Sequence, residues 1–219
     1  VLGLEDGKKR FADTVLAEKI TAMAKKAGLK TSGVFQVDQG KRSRHTNAYF
    51  TGLGRTKRIV LYDTLISSHT HEEIMAVLAH EIGHWKKKHI AKQLAFMICA
   101  SLVLFYVVSL AVAWPPLYQA FGIAGTPVYA GFFLVSLYLS AGWFFLSPLA
   151  SALSRRFERD ADTAAVALSG SSQPLVSALK RLAKDNLSNL HPHPWYVAFY
   201  YSHPPLARRI EYLLSLDYK

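Results

Sequence analysis

The chain has 219 residues, 51% of them hydrophobic, and a formal net charge of +11. That length allows one domain with a real core, or two small ones. A single cysteine, Cys99, excludes an intrachain disulfide and leaves the redox compartment open. The basic surplus carries no nucleic-acid signature, so no nucleic-acid partner is expected. Charge and apolar residues are also segregated. All 26 basic and 15 acidic residues lie in 1–92 and 155–219, and none falls between Lys92 and Arg155. This is the layout of a membrane insertion between two water-facing segments. Residue 1 is Val and no apolar leader opens the chain, so it is expected to be part of a longer protein.

Along the chain, Phe11, Val15, Leu16, Ile20 and Met23 recur at helical spacing and predict a helix over 10–28 that stops at Gly28. Three strand-like runs follow, "GVFQVD", "NAYFTG" and "RIVLYD". Turn-prone stretches, "DQGKRSRH" and "GLGRTK", separate them, and a small antiparallel sheet is expected. Thr70 and Glu73 then have capping-box spacing, and Ile74, Val77, Leu78, Ile82 and Trp85 form the buried stripe of the next helix. That helix can continue through "KKKHIAKQ" into the apolar tract.

The 21 residues of 94–114 carry no charge, enough to cross the hydrocarbon as one helix. After "PP" and "FGIAGTP", the stretch 128–153 crosses back. The blander explanation is a pair of buried core helices. Length and aromatic ends favour a transmembrane hairpin, which puts both flanks on one side. Lys86, Lys87, Lys88 and Lys92 before it, and Arg155 and Arg156 after it, predict that this side is cytoplasmic. Three segments result: 1–92, the hairpin 93–154, and 155–219. In the last, "RRFERDADTAAVALSG" reads as a helix and another runs from Gln173 to about Leu187, with Pro174 in its first turn. An aromatic, proline-rich loop, "HPHPWYVAFYYSHPP", then leads to a final helix ending near Leu216.

"AHEIGHW" carries the chemistry. On a helix His80 and His84 stand one turn apart on one face, where two imidazoles can chelate one zinc ion, with Glu81 beside them to handle protons. Incidental surface histidines are the plain alternative, but the amphipathic helix is the context the motif requires. A catalytic zinc needs a third protein ligand and an open position, and Glu158 in "FERDAD" is the best candidate. Asp162 is one turn further. One carboxylate can bind metal while the other accepts the second N–H of a ligating histidine. Two carboxylates at this spacing usually mark a solvated face. Their place just after the second span instead predicts a metal site between two membrane-entering helices. His45, His69, His71, His89, His191 and His193 sit in loops or near helix ends, and most of them read as polar surface. His203 precedes a helix carrying Arg208 and Arg209, and a His or an Arg there can stabilise an oxyanion.

"RHTNAYFTGLGRTKRIVLYDTLI", "VLAHEIGHWKKKH", "SRRFERDAD" and "YYSHPPLARRI" together resemble, in the same order, the type I CAAX prenyl proteases, the a-factor-converting enzyme family of integral-membrane zinc metalloproteases. HtpX is a more distant relative. The resemblance runs over nearly the whole chain and implies a mainly α, α+β fold: a zincin-like (gluzincin) domain interrupted by the hairpin. It implies His80, His84 and Glu158 as ligands of one Zn2+, Glu81 as the base, and Asp162 as the carboxylate behind a ligand. It further implies His203 and Arg209 as catalytic partners, and Asn47 on an edge strand that holds the substrate backbone. Family members have more spans than this chain has room for, so it resembles their C-terminal catalytic half, with an N-terminal transmembrane half as its missing partner.

The expected function is a membrane-embedded zinc metalloendopeptidase that removes the C-terminal tripeptide of prenylated proteins. The alternatives are an HtpX-like quality-control protease of misfolded membrane proteins, and a zinc-stabilised membrane scaffold without turnover. Against the scaffold, a purely structural site needs no Glu81. The expected partners are a peptide or protein substrate, prenylated or not, and the lipid bilayer. The expected location is the bacterial inner membrane or, in a eukaryote, the endoplasmic reticulum.

Overall fold

The computed structural model describes residues 8–38, 47–52, 56–185 and 189–217. His45, the end of the helix expected to reach Leu187, and most of the two turn-prone stretches lie outside them. The chain divides into two compact units, one of residues 1–87, 155–192 and 203–219, the other of 88–154 and 193–202.

In the first unit, strand β1 (Lys8–Arg10) leads to helix α1 (Thr14–Lys26). The Asp13 carboxylate caps α1 by accepting from Leu16 N–H, and Leu16, Ile20, Met23 and Ala24 form its buried face. Gly28, at φ +83°, lets the chain turn into β2 (Lys30–Val37). Next come β3 (Ala48–Thr51), β4 (Thr56–Tyr62) and a short helix α2 (Asp63–Ser68). The spatial order is β1-β2-β4-β3.

The expectation of an antiparallel sheet is corrected. β1–β2 and β3–β4 are antiparallel, but β2 and β4 are parallel, so the sheet is mixed. The reason lies in β4, whose successive residues Ile59, Val60 and Leu61 are all fully buried. A strand covered on both faces belongs inside a sheet. β4 therefore takes the place beside β2, and β3 is left at the edge.

Helix α3 (His71–Lys86) opens with the predicted capping box: Thr70 N–H donates to the Glu73 carboxylate (2.8 Å), and Glu73 N–H donates to Thr70 Oγ1 (3.3 Å). Ile74, Leu78 and Ile82 are fully buried, while Val77 and Trp85 pack against the same core at partial burial. The helix does not continue through the lysines. Lys88 adopts a left-handed conformation (φ 56°), which ends the hydrogen-bond ladder, and α4 (His89–Val112) starts afresh.

The second unit holds α4, the short α5 (Pro115–Gln119), the first part of α6 (Val128–Ser169) and α8 (Pro194–Tyr200). Tyr118 is fully buried, and its hydroxyl donates to the Val112 carbonyl (2.7 Å). The apolar window of α4 is 0% buried and that of α6 11%, so neither is a core helix among the described residues. Both are long and apolar enough to cross a membrane.

Two more expectations change. The second span and the helix of "RRFERDADTAAVALSG" are one continuous 42-residue helix, α6. Nothing between Leu153 and Arg156 breaks it. Its proline, Pro148, lies earlier, where Ser147 Oγ donates to the Phe144 carbonyl (2.8 Å) that a proline cannot serve. The aromatic loop also contains a helix, α8. Pro194 is pre-organised for a first helical turn, and His193 Nδ1 accepts from Trp195 N–H (3.3 Å). Phe199 of α8 stacks on Phe144 with centroids 4.8 Å apart. The first unit is completed by α7 (Gln173–Asp185) and α9 (Leu206–Leu216).

Candidate metal centre

α3 and the later part of α6 come together through a gap that only glycine permits. A Cβ on Gly83 would lie 2.8 Å from the Ala161 carbonyl oxygen and 3.1 Å from Ala164 Cβ. Across that approach His80 and His84 face Glu158. His80 Nε2 and His84 Nε2 are 3.1 Å apart, His84 Nε2 is 3.4 Å from Glu158 Oε1, and His80 Nε2 is 3.5 Å from Glu158 Oε2. Ligands about 2.0–2.2 Å from a tetrahedral zinc stand about 3.3–3.6 Å apart, and these separations, measured to the two oxygens of Glu158, each fall within a few tenths of an ångström of that figure. Among the described residues, these three form the group whose donor atoms could share a metal ion. Glu158 Oε2 is buried without a hydrogen-bond partner, as a ligand oxygen would be.

Asp162, fully buried, stands behind this triangle. Its Oδ1 is 2.8 Å from His80 Nδ1. Asp162 also takes both arms of Arg209, with Nε on Oδ2 and Nη2 on Oδ1, each at 2.7 Å. Arg209 Nη2 lies 3.0 Å from His80 Nδ1 as well. A ring nitrogen that donates to Asp162 cannot also accept from Arg209. Donation to the carboxylate leaves Nε2 as the lone-pair nitrogen, turned to the triangle.

The charges fit the same picture. Burial works against ionisation of Glu158, but the imidazoles of His80 and His84 beside it and the nearby Arg209 outweigh that, so its carboxyl is held far below the usual range. Asp162 is likewise depressed: burial opposes its charge, and His80 and Arg209 overcome that. Glu81 moves the other way. Burial raises its pKa and Glu158 adds repulsion, only partly offset by His80 and His84. A carboxyl raised in this way is suited to holding a proton briefly. Glu81, Glu158 and Asp162 face one guanidinium, Arg209, a surplus of negative charge that a divalent cation would balance.

A cleft of about 180 Å³ opens onto the triangle. His80, Glu81, His84, Glu158, His203 and Arg209 line it, together with Asn47 and Ala48 at the start of the edge strand β3. All eight residues singled out in the sequence thus belong to one unit, and the structure brings them to one cleft or, for Asp162, directly behind it. His203 sits at the mouth, 64% exposed in its side chain, with Nε2 3.3 Å from Glu158 Oε1. Arg209 is 12% exposed in its side chain and occupied by carboxylates. Sequence reasoning missed the apolar part of the lining, Leu65, Val77, Leu175, Leu179 and Leu182. The helical spacing of leucines in "QPLVSALKRLAKD" marks a buried face but not what it faces.

The pattern of peptidase family M48 matches residues 11–217. The chain is 38% identical over 206 residues to the CAAX prenyl protease 1 homolog of Oryza sativa, covering 94% of this chain and 48% of that protein. It is 38% identical to the CAAX prenyl protease 1 of Saccharomyces cerevisiae, covering 98% and 49%, and 32% identical to the human homolog, covering 92% and 50%. The crystal structure of S. mikatae Ste24p superposes with a TM-score of 0.79 at 35% identity, over 94% of this chain and 50% of that one. The chain therefore spans about half the length of the relatives it matches. A family match that takes in every residue of the triangle and nearly all of the chain leaves one assignment: this protein belongs to peptidase family M48.

Proposed function

We propose that this chain is the catalytic part of a membrane-embedded zinc endopeptidase whose substrates are prenylated C-terminal peptides of the CAAX kind. The observation that carries the proposal is the triangle of His80 Nε2, His84 Nε2 and Glu158, with Glu81 in the same cleft. The substrate class rests on likeness to proteins named CAAX prenyl protease 1.

His80, His84 and Glu158 would hold one Zn2+, which when bound supplies a Lewis acid for the scissile carbonyl and lowers the pKa of water. Glu81 takes a proton from the attacking water and delivers it to the leaving amine nitrogen. Asp162 fixes the His80 ring, and Arg209 fixes Asp162. His203, exposed at the mouth, is the better placed of the two cationic candidates to donate to the developing oxyanion, because Arg209 is already committed. Among the described residues β3 pairs on one side only, and an extended peptide adding to its other side near Asn47 would run past the triangle. The basic residues flanking the apolar helices favour a cytoplasmic site, in the endoplasmic reticulum of a eukaryote or the inner membrane of a bacterium.

The test is metal analysis together with peptide cleavage. One zinc per chain is expected. Glu81→Gln is expected to keep it while cleavage falls by about two to four orders of magnitude. A Glu81→Gln protein that cleaves as fast as the parent overturns the mechanism.

A further inference from the structure

Glu73 does more than cap a helix. A capping box asks only that its glutamate accept from the N-cap backbone N–H, which one oxygen can do. Glu73 is 3% exposed, and both oxygens are engaged. Oε2 accepts from Thr70 N–H (2.8 Å), which closes the start of α3. Oε1 accepts from Ser177 Oγ (2.6 Å), and Arg181 Nε stands 3.2 Å from Oε1 and 3.1 Å from Oε2. Ser177 and Arg181 lie one turn apart on α7. A buried carboxylate is costly unless its partners hold it, so this is a specified tie between two helices rather than an incidental contact.

The same two helices are walls of the cleft. α3 contributes Val77, His80, Glu81 and His84, and α7 contributes Leu175, Leu179 and Leu182. The tie falls on the very turns of α7 that carry those leucines. We propose that Glu73 is a positioning residue: by capping α3 and pinning α7 with one carboxylate, it sets the spacing between the metal-site helix and the leucine wall. That spacing determines how large an apolar side chain of the peptide fits beside the scissile bond. The proposal rests on the endopeptidase reading, to which it adds the device that sets side-chain size.

The experiment is made on the full chain with Ser177→Ala/Arg181→Ala, which leaves the α3 cap intact, and with Glu73→Gln as a second variant. Two peptides are compared that differ only in Ala or Leu next to the scissile bond. The Leu-to-Ala ratio of kcat/KM is expected to change by roughly tenfold, the lower end of what one methylene is worth in an apolar pocket, and to do so through KM. Zinc content is expected to stay at one per chain, and amide exchange to quicken along α7 but not α3. Quicker exchange with an unchanged ratio would reduce the tie to a structural role and overturn the proposal, as would no change in either. If the parent chain cleaves neither peptide, the endopeptidase reading is what fails. The ratio of equilibrium affinities of the zinc-loaded chain for the two peptides then decides the tie by the same criterion.

Discussion

Ile82 and Gly83 fill the two variable places between Glu81 and His84, and they do opposite jobs. Ile82 is fully buried in the core, while Gly83 keeps α3 and α6 close enough for His80 and His84 to meet Glu158. Gly83→Ala forces its new methyl against the Ala161 backbone, which cannot yield as a flexible side chain would. A loss of about 1–3 kcal/mol is expected in denaturant unfolding, with zinc affinity down at least about tenfold as the triangle widens. Parental zinc affinity in this variant would show that the close approach is not what sets the site. The histidines were legible because a helix turns its residues in a known order. Gly83 was not, because its partner is 78 positions away along the chain, at Ala161. Arg209 and His203 make a second contrast. Spacing left either as the oxyanion donor, and the bidentate grip of Arg209 on Asp162 separates them. His203→Ala is expected to lower kcat by about two to three orders of magnitude with zinc retained, whereas Arg209→Ala is expected to lose zinc first, through a loosened Asp162. Zinc titration beside steady-state kinetics on both variants checks this, and equal zinc loss in the two would remove the distinction.

At the scale of elements, local signals read well and long-range ones poorly. The capping box at Thr70 and Glu73, the stripe of α3 and the stop at Gly28 depend on neighbours within one or two turns. Strand order depends on which strand is covered twice, and the run Ile59–Val60–Leu61 carried that information in its lack of alternation. The unity of α6 was hidden by charge, since a change from apolar to polar residues looks like a boundary although helix hydrogen bonding ignores it. The tie between α7 and the end of α9 was equally invisible. Asp217, just after α9, accepts from Ser172 N–H (2.9 Å) and from Ser172 Oγ (2.5 Å), just before α7. These bonds hold the Asp217 carboxyl below the ordinary aspartate value of about 3.9. A depressed folded pKa means that the stabilisation is present above the unfolded value and disappears as pH falls through the folded one. Asp217→Asn is therefore expected to lower the melting temperature at pH 7, with the gap to the parent closing as pH falls below about 3.9. A gap of constant size down to pH 2 would mean that the charge of Asp217 is not what matters.

For the molecule as a whole, the large exposed residues of α4 and α6, among them Phe96, Phe105, Tyr106, Phe133, Trp143 and Phe145, need a covering that water does not supply. Lipid covers such surfaces, and so do further helices. The relatives matched here are about twice as long as this chain, so they have room for further helices that this chain does not contain. That difference bears on substrate choice. A farnesyl group is attached at the cysteine next to the bond that breaks, but its long chain reaches well beyond that bond, and its contacts speed cleavage only if they strengthen transition-state binding. The cleft within this chain, at about 180 Å³, is already shared among the triangle, Glu81 and a leucine wall suited to an amino-acid side chain. Discrimination for the prenyl group is therefore expected to reside mainly outside these 219 residues. One peptide, with and without farnesyl, is to be cleaved in the same detergent by this chain and by a relative of full length such as Ste24p. The ratio of kcat/KM for the two peptides is expected to be at least about tenfold smaller for this chain, with the unmodified peptide cut at rates that differ less. If this chain prefers the farnesylated peptide as strongly as the longer protein does, the prenyl contacts lie within 1–219, and the apolar faces of its own helices become the place to look for them.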